Sequence, residues 1–200
     1  MASQVARPQR HVRGDRGWLL AGYAGVAGFF VLEAALRASG RASSLAASKD
    51  DSGTTRRIVA AYLLAGTVPP LLRRVPARPL PRAAAPAGLV VEATGLVLRA
   101  WSMRTLGASY SRTLRTAEAQ PVVDIGPYQL IRHPGYLGSL VIWTGFALTS
   151  RSLPVVAVVC GLLASAYRRR IAAEETLLHR DLPGYLEYSR HTKKLVPFIW

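Results

Sequence analysis

The sequence is poor in cysteine, lysine, acidic residues and long unbroken apolar runs. Its single cysteine, Cys160, lies inside an apolar stretch, so the chain can close no disulfide on itself and offers no cysteine-based metal site. Lysine occurs only at Lys49, Lys193 and Lys194, which makes nearly all of the basic charge arginine. Eleven Asp and Glu stand against 26 Lys and Arg, a formal net charge of +15 over 200 residues. Such an excess suits a nucleic-acid binder, but the arginines flank apolar runs instead of forming one stripe, and no nucleic-acid motif is present. The expectation is therefore no nucleic-acid partner, and nothing in the sequence calls for an obligate protein partner. What the chain does have is apolar mass: half of its residues are hydrophobic and the mean hydropathy is +0.18. Together these describe a single-domain, integral, multi-pass membrane protein whose arginines sit at the level of the lipid headgroups. Arginine in place of lysine, with abundant alanine, points to a GC-rich coding sequence and a bacterial cytoplasmic membrane.

The patterning predicts an all-α protein with about five transmembrane helices. Residues 1–17 are polar and Arg-rich and read as a disordered basic tail. Within 18–106 lie three apolar stretches. Residues 18–36 are long enough to cross a bilayer; residues 58–72 are shorter and end on Pro69-Pro70, which breaks a helix; residues 87–106 carry Glu92 and Arg99. A Ser/Ala/Gly-rich loop, 38–55, and an Arg/Pro linker, 73–86, separate them. Residues 107–134 are too polar for lipid. The runs 136–149 and 153–167, joined at Ser150-Arg151-Ser152, read as a helical hairpin, with Gly161 and Ser165 spaced for close helix approach. A polar helix follows over 171–180, then Pro183-Gly184 as a turn, an amphipathic stretch over 185–194 and interfacial aromatics at the end. The polar parts 107–134 and 168–200 are placed on one side, the cytoplasm. Glu33 and Glu92, inside spans, are expected to pair with arginines of neighbouring helices.

Chemistry concentrates after residue 125. In Gly126-Pro127-Tyr128 followed by Arg132-His133-Pro134, Tyr136 and Gly138, the residue before proline is pushed to extended geometry, so His133 stays out of the next helix and Pro134 opens it. A helix N-terminus then faces the polar loop and favours an anionic group. The same residues would also serve as a basic membrane-edge anchor. Further on, Arg170 and Glu174 share a helix face at i, i+4, and Glu175 adds a second carboxylate beside the membrane, where a cationic ligand would be attracted. A plain surface ion pair is the alternative there. Tyr185 and Tyr188 follow, before Lys193-Lys194.

The ordered set, Gly-Pro-Tyr, Arg-His-Pro with Tyr136 and Gly138, an apolar hairpin, Arg170 with Glu174-Glu175, then Tyr185 and Tyr188 before a terminal Val-Pro, resembles the isoprenylcysteine carboxyl methyltransferase family and, less closely, the phospholipid N-methyltransferases. It covers roughly residues 98–200. The resemblance implies a catalytic region over 107–200 that uses S-adenosyl-L-methionine. It maps His133, Pro134, Tyr136, Gly138, Glu174 and Glu175 onto cofactor binding, Arg170 and Glu174 onto catalysis, and Arg170 and Tyr185 onto the substrate, with no metal. The implied substrate is a lipophilic small molecule or lipidated acceptor met in the membrane lipid, first a prenylcysteine-like carboxylate. A phospholipid amine, a lipophilic thiol, or NADPH-dependent reduction as in membrane sterol reductases remain alternatives.

Overall fold

The computed structural model describes residues 9–38, 51, 53–72, 75, 78–107 and 122–196. The expected loops over 39–50 and 108–121 and the terminal aromatics after 196 lie outside the described residues. Six α-helices follow in order: α1 (Gln9–Ala38), α2 (Thr54–Leu72), α3 (Ala84–Leu106), α4 (Pro134–Thr149), α5 (Leu153–Asp181) and α6 (Tyr185–His191), with a 3-10 turn at Gly126–Gln129. Among the described residues there is no strand, only two isolated bridges.

Several boundaries differ from the sequence expectation for local reasons. Helix α1 begins at Gln9, inside the segment read as a tail, because no proline follows Pro8 before Trp18 and the arginines are good helix formers that offset Gly14 and Gly17. Pro69 and Pro70 sit within α2, but in its final turns, where few hydrogen bonds are lost before the helix stops at Leu72. Helix α5 is continuous across Arg168-Arg169-Arg170, so the hairpin arm and the polar helix are one rod of 29 residues, about 44 Å long. Only one described segment, Arg16–Ala35, is long and apolar enough to cross a membrane by composition alone.

Helices α3 and α4 form the closest pair, running antiparallel. Close approach without a hydrophobic force between helices needs small residues, and glycines supply it. A Cβ at Gly95 would lie 2.6 Å from the Ile142 nitrogen, one at Gly138 2.9 Å from the Arg99 nitrogen, and one at Gly145 would strike the Glu92 backbone. Gly161, expected at a helix contact, instead faces open space. Helix α1 packs on α3 and α4, and α2 lies along α5. The interior is filled by Phe29, Ile142, Trp143, Phe146, Leu163 and Tyr167.

Two buried carboxylates part ways. Glu33 accepts both Nε and Nη2 of Arg99, at 3.0 and 2.8 Å, as expected. Glu92 does not find an arginine: it is 1% exposed and neither carboxylate oxygen has a hydrogen-bond partner. It points at Gly25 of α1, which has no side chain to answer it.

At one end of the bundle the hairpin turn is stapled to the linker, the Leu80 N–H donating to the Arg151 carbonyl at 2.8 Å and the Arg151 guanidinium to the Leu80 carbonyl. The other end gathers the C-terminus of α3, the N-termini of α2 and α4, the polar half of α5 and helix α6. The two polar stretches expected to share a side do meet there: the Arg132 and His133 N–H groups donate to the carbonyls of Lys193 and Lys194 at 2.7 and 3.0 Å.

Candidate active site at the polar end of the bundle

His133 has φ −123° and ψ 52°, outside the helical region, and Pro134 begins α4 after it, as the X-Pro restriction requires. The His133 carbonyl accepts the N–H groups of Tyr136 and Leu137 at 3.1 and 3.2 Å, which tightens the first turn. Arg99 Nη1 donates to the Gly135 carbonyl at 2.9 Å, tying this turn to the Glu33 pair below it. The His133 and Tyr136 rings stack at 5.7 Å with 27° between planes. From Tyr136 an aromatic ladder descends through Tyr167, at 5.2 Å, to Tyr62 and then Trp143, which stack at 5.2 Å. Gly138 is pressed against the Arg99 backbone.

The adjacent carboxylates of α5 face different surroundings. Glu175 is buried and saturated. Its Oε1 accepts from Arg132 Nε at 3.0 Å, pairs with His133 Nε2 at 2.8 Å and accepts from the Tyr185 hydroxyl at 2.7 Å; its Oε2 accepts from Arg132 Nη2 at 3.0 Å. Burial pushes this carboxyl up, but the hydrogen bonds from His133, Arg132 and Tyr185 prevail and hold it well below the usual carboxylate range. Burial and the neighbouring Glu175 charge push the Tyr185 phenol far up, so it is a hydrogen-bond donor at every physiological pH. Arg132 also reaches the carbonyls of Ser189 and Thr192, so this hub joins α4, α5, α6 and the following strand-like segment.

Glu174 is half-buried and receives one neutral donor, the Tyr136 hydroxyl, at 2.6 Å on Oε2. The Tyr136 oxygen in turn accepts from Arg170 Nε at 3.0 Å. Arg170 is 2% exposed, and its Nη1 donates to Asp51 Oδ1 at 2.6 Å and to Thr54 Oγ1 at 2.9 Å. Thus the structure brings His133, Pro134, Tyr136, Arg170, Glu174, Glu175 and Tyr185 together at one end of the bundle, while Gly138 serves helix contact. Sequence reasoning overlooked Arg132 as a partner of Glu175 and overlooked Asp51, Thr54 and Thr55 altogether. An Asp three residues before a Thr at a helix start was the available signal; its pairing with Arg170, 119 residues away, was not readable.

The described residues thus form a bundle of helices with an ionic and aromatic cluster at its polar end, beside the N-terminus of α4. Residues 88–180 match the profile of the isoprenylcysteine carboxyl methyltransferase (ICMT) family. Among curated relatives, protein-S-isoprenylcysteine O-methyltransferase A of Arabidopsis thaliana is 31% identical over 116 residues, 56% of this chain and 58% of that protein. The nickel-cobalt-cadmium resistance protein NccN of Alcaligenes xylosoxydans xylosoxydans is 32% identical over 76 residues, 38% of this chain and 36% of that protein. The chain thus spans between about a third and three fifths of the length of these relatives. Among solved structures, the eukaryotic intramembrane Ras methyltransferase ICMT shares the fold, with a TM-score of 0.59 at 20% identity over 72% of this chain and 53% of that one. The chain accordingly shares the fold of that structure over 72% of its length.

Proposed function

We propose that the chain is an S-adenosylmethionine-dependent membrane methyltransferase acting on the carboxylate of a lipophilic, prenylcysteine-like acceptor. The observation that carries this reading is Glu174: a half-buried carboxylate given a single neutral donor by Tyr136, beside the N-terminus of α4, in the segment of the ICMT family. These groups fit the cofactor. Glu174 suits its cationic side, the positive end of α4 suits its carboxylate, and the His133 and Tyr136 rings offer a flat wall. When bound, S-adenosylmethionine supplies an electrophilic methyl group on a sulfonium. An acceptor carboxylate is already ionised at neutral pH, so the protein needs no general base, and much of the rate comes from alignment.

The remaining residues divide by what they touch. Glu174 and Tyr136 face the ligand. Glu175 and Tyr185, saturated by their protein partners, brace His133 and Arg132 instead of contacting a ligand. Arg170, tied to Asp51, orients Tyr136 and so positions Glu174, in place of the acceptor hook that the resemblance implies. The apolar faces of α2, α3 and α5, which expose Leu63, Val97 and Val158, lie in lipid and admit the acceptor's tail laterally. We place helices α1 to α5 across the membrane, bacterial in kind, with the site facing the cytoplasm where the cofactor is made.

Isothermal titration of the detergent-purified chain with S-adenosylhomocysteine tests this. Micromolar binding is expected, lost in Glu174→Ala and His133→Ala. Binding of NADPH with none of S-adenosylhomocysteine by folded protein overturns the methyltransferase. Methyl transfer to a prenylated amine or thiol, and not to a prenylcysteine carboxylate, would overturn the acceptor class alone.

A further inference from the structure

Asp51 lies outside the family segment and has no part in the proposed chemistry, yet it is 2% exposed and its carboxylate accepts five hydrogen bonds. Its Oδ1 accepts from Thr54 Oγ1 at 2.9 Å, Thr55 Oγ1 at 2.8 Å, the Thr55 N–H at 3.2 Å and Arg170 Nη1 at 2.6 Å; Oδ2 shares the Thr55 N–H at 3.3 Å. These bonds outweigh the burial that would push the carboxyl up and leave it below its ordinary range. A carboxylate at the start of α2 is further favoured by the helix dipole. Asp51 is therefore a fixed negative charge.

The next links follow from donor and acceptor counting. The Tyr136 oxygen accepts from Arg170 Nε, so the phenol must send its own hydrogen elsewhere, and Glu174 Oε2 is 2.6 Å away. Among the described residues the cluster holds two carboxylates, Asp51 and Glu174, against the Arg170 guanidinium. Remove the Asp51 charge and Arg170 cancels Glu174. Glu175 is balanced separately by Arg132 and His133. Arg56, Arg57, Arg168 and Arg169 are exposed, and water and salt screen them.

We propose that Asp51, supplied by the N-terminal half, sets the charge of the cofactor site: it neutralises Arg170 and leaves the Glu174 charge uncancelled for a sulfonium. The inference rests on the methyltransferase reading and names a positioning residue, not a catalytic one. Its signature is discrimination by charge. S-adenosylmethionine and S-adenosylhomocysteine differ at the sulfur alone, a methylated cation in one and a neutral thioether in the other. A merely structural Asp51 would alter the affinity for both alike.

The test is titration of full-length, detergent-purified wild type, Asp51→Asn and Asp51→Glu with each ligand. In Asp51→Asn the affinity for S-adenosylmethionine falls roughly tenfold more than that for S-adenosylhomocysteine, the scale of one charge removed near a partly buried site. Asp51→Glu restores the wild-type ratio. If Asp51→Asn does not fold, Arg170→Gln carries the test: with two carboxylates unopposed, the ratio shifts further toward the cation. An unchanged ratio in either variant overturns the role of Asp51 while leaving the methyltransferase in place. Wild type that binds neither ligand overturns both.

Discussion

Glu174 and Glu175 are neighbours in the chain and opposites in use. Glu175 ties four segments together through Arg132, His133 and Tyr185, and removing its charge strands a buried arginine. Glu175→Gln should cost about 3–5 kcal/mol of stability, seen as a lower thermal midpoint whether or not ligand is present. Glu174→Gln should leave that midpoint nearly unchanged and abolish the ligand-induced rise in it. Acid should act through Glu175. Its folded pKa is depressed below the ordinary 4.5, so its contribution is full above about pH 4.5 and fades as pH falls below that value. Thermal midpoints of wild type between pH 7 and pH 3 should fall more steeply than those of Glu175→Gln; parallel curves would remove Glu175 as the acid-labile group. Tyr188, raised to about 12 by burial, stays protonated and keeps donating to the Tyr128 carbonyl across this range.

Helices α3 and α4 meet through glycines seven residues apart on each, Gly88 with Gly95 and Gly138 with Gly145. The seam carries the site because it brings Arg99 to Gly135 and so sets the first turn of α4. Gly145→Ala, whose new methyl would collide with the α3 backbone at Glu92, should destabilise by about 1–3 kcal/mol or more. Gly161→Ala, with nothing near its Cβ, should be neutral by the same thermal measurement. On the same α3, Glu92 is a buried acid without a hydrogen-bond partner. Glu92→Leu should raise the thermal midpoint, by the equivalent of about 1–3 kcal/mol, since an unanswered buried polar group is removed. A lower midpoint would show that the carboxyl gains more from its surroundings than it loses.

For the whole molecule the testable claim is how it sits in lipid. Leu63 on α2 and Val97 on α3 are each 69% exposed, and the proposed topology puts both in lipid. In a Cys160→Ala background, Leu63→Cys and Val97→Cys in membrane vesicles should react with an apolar maleimide and resist a charged one. Arg190→Cys, on α6 at the polar end, should react with both. Charged labelling at position 63 would take α2 out of the bilayer. The ring of exposed arginines at the ends of α2 and α5 then lies at the headgroups, as the scarcity of acids requires.

The sequence by itself determined the helical class, the hairpin and the helix start at Pro134, because hydropathy, proline and glycine act within a few residues of where they stand. It also singled out His133, Glu174 and Glu175, since their order and spacing are local, but not Asp51. Helix ends were less legible: the polar front of α1 and the charged half of α5 continue helices in which no proline intervenes, although their hydropathy changes. Partners were decided only by the tertiary structure. That Glu33 meets Arg99 while Glu92 meets a glycine, that Glu175 is spent on Arg132 and His133 while Glu174 is not, and that Arg170 answers Asp51 from the other half of the chain all depend on helices touching across long separations. Sliding a helix by one turn along its axis exchanges such partners while keeping the same face inward, so the hydropathy pattern records which faces are apolar and leaves the pairing of charges to the assembled bundle.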